Sequence, residues 1–131
     1  MKKIVVICVS VGIAAFLAVL LFVVILPSSQ YEKVRSMQIT NVDLKSLSDG
    51  TYHGEYAYSN TDYKVDVEIK DHQIVDVKID GGGASEYSKL AEGVIDKIIE
   101  EQRLDVDAIS GATTSSKAIL KAVENALVDI N

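Results

Sequence analysis

The most prominent feature of the chain is an apolar run near its N-terminus. Residues 4–26 carry no charge, and Pro27 follows them directly. A helix of this length reaches about 35 Å at 1.5 Å per residue, which is enough to cross a hydrocarbon core of about 30 Å. The pattern therefore predicts a transmembrane anchor over residues 1–27.

A cleavable signal peptide is the alternative interpretation of this run. The apolar region of a signal peptide covers about 7–15 residues and ends in small residues. This run is longer and ends in the bulky residues 23–26, and Cys8 lies too early in it for a lipoprotein cleavage site. We therefore interpret the run as an uncleaved single span.

The basic residues around the span indicate its orientation. Lys2 and Lys3 precede it and predict a cytoplasmic N-terminus, although Lys33 and Arg35 on the other side reduce the contrast. The prediction is a single-pass protein of the cell membrane whose remaining domain is extracytoplasmic.

Beyond the span, a polar tether over residues 28–48 with at most one short helix is predicted to lead into three alternating segments. These segments cover residues 48–58, 62–70 and 74–80. The second is typical, since Val65, Val67 and Ile69 alternate with charged residues. The third is predicted to bury Val75, Val77 and Ile79, and residues 71–73 to form a tight hairpin turn. The pattern predicts a three-stranded antiparallel sheet with one buried face and one solvent-exposed face.

The spacing of apolar residues becomes helical after the glycines at 81–83. The apolar positions of the first helical stripe are Tyr87, Leu90, Ala91, Val94, Ile95, Ile98 and Ile99. They predict one continuous helix over residues 85–102, with Ser85 as its N-cap. A second helix is predicted over residues 115–127. Two helical stripes against one apolar sheet face indicate a small two-layer α+β domain over residues 49–131.

The charge balance limits the classes of partner. From residue 28 onward there are eleven Lys and Arg against nineteen Asp and Glu, a formal charge of −8. This argues against nucleic acid and against a basic surface that lies on anionic lipid. Cys8 is the only cysteine, which excludes a disulfide framework within one chain, and His53 and His72 lie too far apart in the pattern to predict a metal site.

Hydroxyl residues are crowded just before the second predicted helix. They are Ser110, Thr113, Thr114, Ser115 and Ser116. Capping requires only one of them, whereas a helix N-terminus with its unpaired N–H groups also accepts phosphate. Gly111 and Ala112 would let a ligand approach the backbone closely. From the residues alone, the cluster can be interpreted either as an ordinary helix cap or as a phosphate site.

The segment "DAISGATTSS", residues 107–116, resembles the flavinylation motif of the FMN-binding domain family. That family includes the covalently flavinylated subunits of sodium-pumping NADH:quinone reductases and related ion pumps. The motif, Asp-x-x-Ser/Thr-Gly-Ala-Thr/Ser, matches Asp107, Ser110, Gly111, Ala112 and Thr113. Residues 49–56, 67–79 and 118–127 also resemble the short, membrane-anchored members.

The resemblance implies a covalent FMN, joined by a phosphoester to Thr113 and attached by a separate transferase that uses FAD. The residues implied around the phosphate are Ser110, Gly111, Ala112, Thr114, Ser115 and Ser116. For Asp107 the resemblance implies recognition or metal binding by the transferase, and a loop cap is the alternative. The implied function is electron transfer from a membrane donor, such as a quinone-linked or NADH-linked reductase, with no catalytic residue of its own predicted.

The pump subunits carry a Thr-Pro-Gly-type loop after the sheet where this chain has "DGGGASEYSK", residues 80–89, so we do not assign the chain as a pump subunit. One of Tyr52, Tyr56 and Tyr58, or His53, could reach a flavin, but a role in the sheet is the alternative. The alternative function is a non-redox binding module of the same fold that holds a phosphate-bearing ligand or a partner protein.

Overall fold

The computed structural model describes residues 1–83 and 85–128, with side chains throughout except at 25–28. The chain divides into two compact units, and the second begins at Lys33. Helix α1, Lys2–Arg35, makes up nearly all of the first unit. Within the described residues it is the one helix that is long and apolar enough to cross a membrane, by length and composition.

The second unit includes the end of α1 and the residues that follow it. Helix α1 continues past the predicted end of the anchor to Arg35, because residues 30–35 are mostly good helix formers. Val34, Ile39 and Leu47 are all buried. The expected short helix is the 3-10 turn Leu44–Ser46, which the Asp43 carboxylate caps by accepting the backbone N–H of Lys45.

The predicted antiparallel sheet is confirmed. Its strands are β1 (Gly50–Tyr58), β2 (Thr61–Lys70) and β3 (Gln73–Gly81), in the order β1-β2-β3 over the part of the chain that is described. The alternation in β2 buries Val65, Val67 and Ile69 and exposes the charged residues between them.

The predicted inward position of Val75 is wrong. Glu68 pairs with Asp76 and Ile69 pairs with Ile74, so Val75 is the extra residue of a β-bulge. A one-residue insertion changes which side chains face the core. Ile74 is therefore buried, whereas Val75 is 42% exposed.

The single helix predicted over residues 85–102 is in fact two helices, α2 (Glu86–Ala91) and α3 (Gly93–Glu101). The N-cap is confirmed, since the Ser85 hydroxyl accepts the N–H of Ser88 at 3.1 Å. The break falls at Glu92, directly before Gly93, a residue of low helix propensity that begins α3. The continuous stripe is interrupted, and Tyr87 and Leu90 are exposed.

Helix α4, Thr113–Val128, packs over β1 and β2, and α3 packs over β3, which confirms the two-layer α+β domain. The closest approach is at Gly54 of β1. A Cβ there would collide with the carbonyl oxygen of Ala122 and the backbone nitrogen of Ala126. The glycine therefore allows strand and helix backbones to meet.

Replacing Gln102 with alanine should destabilise the domain. The Gln102 amide accepts the Ile74 N–H and donates to the Ile74 carbonyl, both at 2.8 Å, so it continues the sheet pairing and joins the end of α3 to β3. Loss of these partly buried bonds should cost about 1–3 kcal/mol of unfolding free energy. Urea denaturation measures this, with Gln73→Ala, an exposed glutamine at the start of β3, as the control. Equal midpoints for both variants would contradict the prediction.

Candidate functional site

The connection between α3 and α4 contains a tight turn at the centre of the hydroxyl-rich motif. The Ala112 N–H donates to the Ile109 carbonyl at 3.0 Å, which leaves Ser110 and Gly111 as the two central residues. Gly111 has φ of +83°, a value that glycine adopts without strain. The turn therefore exposes Ser110 and Gly111 at the surface.

Side chains from distant parts of the chain hold this connection in place. The Ser116 hydroxyl accepts the Ile109 N–H at 3.1 Å, which ties the turn to α4. Asn41 accepts the N–H groups of Leu104 and Asp105 at 2.8 and 3.2 Å. The loop that carries the motif is thus held in place by hydrogen bonds with side chains outside it.

Helix α4 begins at Thr113, earlier than the predicted start at residue 115. The residue before it is Ala112, whose carbonyl accepts the Ser116 N–H at 2.9 Å but whose side chain has no oxygen for capping. Among the described residues, the N–H groups of Thr113, Thr114 and Ser115 have no hydrogen-bond partner. The first turn also contains no acidic residue, so this positive helix end is suited to an anion.

The structure divides the hydroxyl residues into two groups. Ser110 is exposed, and Thr113 and Thr114 are half-buried at the start of α4. Ser115 and Ser116 are 7% and 0% exposed, because they already lie on the inward side of the first turn. The motif therefore offers three accessible hydroxyls, with Thr113 beside the N–H groups of the helix.

Asp107 lies in the same connection with an exposed side chain. Its backbone carbonyl accepts a hydrogen bond from the Lys97 ammonium at 3.0 Å. Its carboxylate makes no hydrogen bond to the rest of the described chain, so it does not cap the loop. The carboxylate is available to another molecule, and the Lys97 contact was not expected from the sequence.

Helix α2 brings Leu90 next to the motif, although the helical spacing of the sequence predicts that Leu90 lies in the core. A Leu90 methyl carbon lies 3.8 Å from the position that a Cβ on Gly111 would occupy. The available sequence signal was Gly93, since a glycine inside a helical pattern lowers helix propensity and weakens the prediction of one continuous helix.

The open face of the sheet forms a region separate from the motif. A groove of about 710 Å³ on that face is lined by residues that include His53, Asp66 and Lys78, and by none of the motif residues. His53 pairs with Asp66 at 2.5 Å, whereas His72 contacts the Leu47 carbonyl at 3.1 Å. Within the described ranges, no three His, Cys, Asp or Glu side chains cluster as metal ligands.

Comparison with known proteins identifies the motif region as part of a conserved domain type. The model of a family described as "FMN-binding domain" matches residues 59–128, which include β2, β3, all of the motif and α4. The NADH:acrylate oxidoreductase of Vibrio harveyi is 31% identical over 100 residues, which are 75% of this chain but 10% of that relative. This chain therefore spans about a tenth of the relative's length. No solved structure gives a significant match.

Proposed function

The chain belongs to the FMN-binding domain family, and on that premise we propose that it is a membrane-anchored electron carrier with FMN covalently bound to Thr113. The observation that carries the proposal is the position of Thr113. Its side chain is partly exposed at the first residue of α4, beside three N–H groups that have no partner in the described structure.

The residues around Thr113 suit a phosphoester. Such a linkage retains one negative charge, which the N–H groups of residues 113–115 and the helix dipole offset by roughly 0.3–1 kcal/mol. Gly111 has no side chain that would obstruct a group bound at Thr113, and the atom nearest to where its Cβ would lie is a Leu90 methyl carbon. Ser110 and Thr114 provide further accessible hydroxyl donors.

The attachment requires a separate transferase that uses FAD. The Thr113 oxygen bonds to the phosphorus of the FMN half of FAD, the bond between the two phosphates breaks, AMP leaves, and the hydroxyl proton is released. The exposed carboxylate of Asp107, which no described residue engages, is the group that this transferase would recognise, directly or through a metal ion.

When bound, FMN supplies a ring that accepts and returns electrons, and the protein supplies its position and surroundings. The name of the Vibrio harveyi relative describes a redox enzyme, which supports a redox role for the shared domain. We propose that electrons come from a membrane donor such as a quinone-linked or NADH-linked reductase. A covalent bond would keep the cofactor in place on the outer side of the membrane.

A direct test is the state of the flavin after denaturation. Co-expression with an FMN transferase should give yellow protein whose colour stays with the unfolded chain, and mass spectrometry should find one FMN on the peptide that contains Thr113. An adduct on Ser110 or Thr114 would show that the register is wrong. Colour lost on denaturation would show that FMN is held without a covalent bond, whereas colourless protein that binds phosphate would favour the non-redox binding module.

A second experiment addresses topology. Because α1 is long and apolar enough to span and Lys2 and Lys3 precede it, protease added to intact cells should remove the domain and leave the anchor. A cytoplasmic protein serves as the lysis control. Recovery of a mature form that begins near residue 28 would show cleavage, and a protected domain would reverse the orientation.

A further inference from the structure

Two apolar side chains of α2 are exposed beside the motif. Tyr87 and Leu90 are 66% and 51% exposed, whereas the adjacent Ala91 is fully buried. Residues three apart lie on the same face of a helix. Tyr87 and Leu90 therefore form one apolar surface, here called the α2 strip.

The α2 strip lies next to the turn that precedes Thr113. Leu90 borders the open position at Gly111, at 3.8 Å from where a Cβ would be, and Gly111 is two residues before Thr113. A side chain at residue 111 would lie between the strip and the motif. Because residue 111 has no side chain, nothing from the turn itself separates Leu90 from the backbone at Gly111.

The strip is held firmly although it is exposed. Ser85 caps α2, and the buried Ser88 hydroxyl donates to the Gly82 carbonyl, with the Tyr63 hydroxyl 3.4 Å away. Helix α2 also packs against α4. The strip and the attachment residue are thus fixed with respect to each other, as a preformed contact surface requires.

We propose that the α2 strip is the surface on which the isoalloxazine ring of the flavin rests, with Tyr87 stacked on the ring and Leu90 against its edge. This inference depends on the proposed attachment of FMN to Thr113. A planar aromatic ring gains from stacking on tyrosine and from leaving water. The ribityl chain between phosphate and ring allows the ring to fold back onto α2.

The size of the strip favours a single ring over a protein partner. Specific protein interfaces bury about 800 Å² on each side and about 20–30 residues, which two side chains do not approach. One face of a stacked ring would remain open, so a redox partner could still approach it. The strip would therefore hold the ring in a defined orientation for electron transfer.

The test is time-resolved flavin fluorescence of the full-length flavinylated protein. A tyrosine in van der Waals contact shortens the lifetime of the excited ring by transient electron donation that reverses, so the short-lived fraction measures the stacked population. An aromatic contact shifts such an equilibrium by roughly two- to tenfold. Tyr87→Leu removes the electron donor as well as the stacking contact, so the ratio of short-lived to long-lived signal should fall by at least that factor.

Three further variants make the result specific. Tyr87→Trp should retain the short-lived fraction, because tryptophan both stacks and donates electrons. Leu90→Ser should reduce it through loss of apolar contact. Val75→Ser changes an exposed valine of β3 that lies outside the strip and should leave the lifetimes unchanged.

The outcomes separate the two proposals. If Thr113 carries FMN by mass spectrometry but Tyr87→Leu leaves the lifetimes unchanged, the ring does not rest on the α2 strip and only this inference fails. If no variant carries FMN, the attachment fails and this inference fails with it. Far-ultraviolet circular dichroism verifies the fold of each variant, which an exposed position should preserve.

Discussion

Replacing Thr113 with alanine should remove the flavin completely and leave the fold intact. The Thr113 side chain is half-buried and makes no hydrogen bond to the described residues, so the change should cost less than about 0.5 kcal/mol. For a domain of this size that is a shift in melting temperature of about 2–4 °C at most. Visible absorbance and electron transfer to an artificial acceptor should both be lost, while circular dichroism remains unchanged.

The controls for this variant separate chemistry from stability. Thr40→Ala removes an exposed threonine outside the motif and should preserve both flavin and fold. Ile119→Asp places a charge at a fully buried position of α4 and should unfold the domain, because an unpaired buried charge costs several kcal/mol. If Thr113→Ala still passed electrons at the unmutated rate, the electron-carrier proposal would be wrong and the binding-module alternative would replace it.

Replacing Gly54 with alanine should destabilise the domain severely. The added methyl group would collide with the backbone of α4 at Ala122 and Ala126, and backbone atoms cannot rotate away as a side chain can. Overpacking in a core costs about 1–3 kcal/mol and occasionally more, and we expect about 3 kcal/mol here. Urea denaturation of the full-length protein measures the loss, and flavinylation should fall with it because α4 carries Thr113.

The matched control for Gly54 is its neighbour His53. The side chain of His53 is 75% exposed and paired with Asp66, so His53→Ala should lose no more than about 1 kcal/mol. Equal denaturation midpoints for Gly54→Ala and the unmutated protein would show that strand β1 can move away from α4 at no cost.

The importance of Gly54 is not apparent from the sequence. Nothing in the local pattern of β1 marks this glycine, since its role depends on the Ala122 and Ala126 backbone about seventy residues later. The same holds for Gln102, whose amide completes the backbone pairing of Ile74. Contacts between distant segments leave no periodic signal in either segment.

The sequence by itself determined the features that depend on local periodicity and local chemistry. Strict alternation predicted β2, helical spacing predicted α4 and its apolar stripe, and the motif from Asp107 to Thr113 indicated the FMN-binding domain family. These features were predictable because the repeat of two residues in a strand and 3.6 in a helix directly determines which side chains share a face.

Only the tertiary structure decided how the motif is presented. The bulge at Val75 and the break at Glu92 both changed which apolar residues face the core, and Leu90 lies beside Gly111. The start of α4 at Thr113 turned Ser116 inward. The physical reason is the same in each case. The outcome depends on the interaction energy between two segments that pack or pair with each other, and neither segment has that energy by itself.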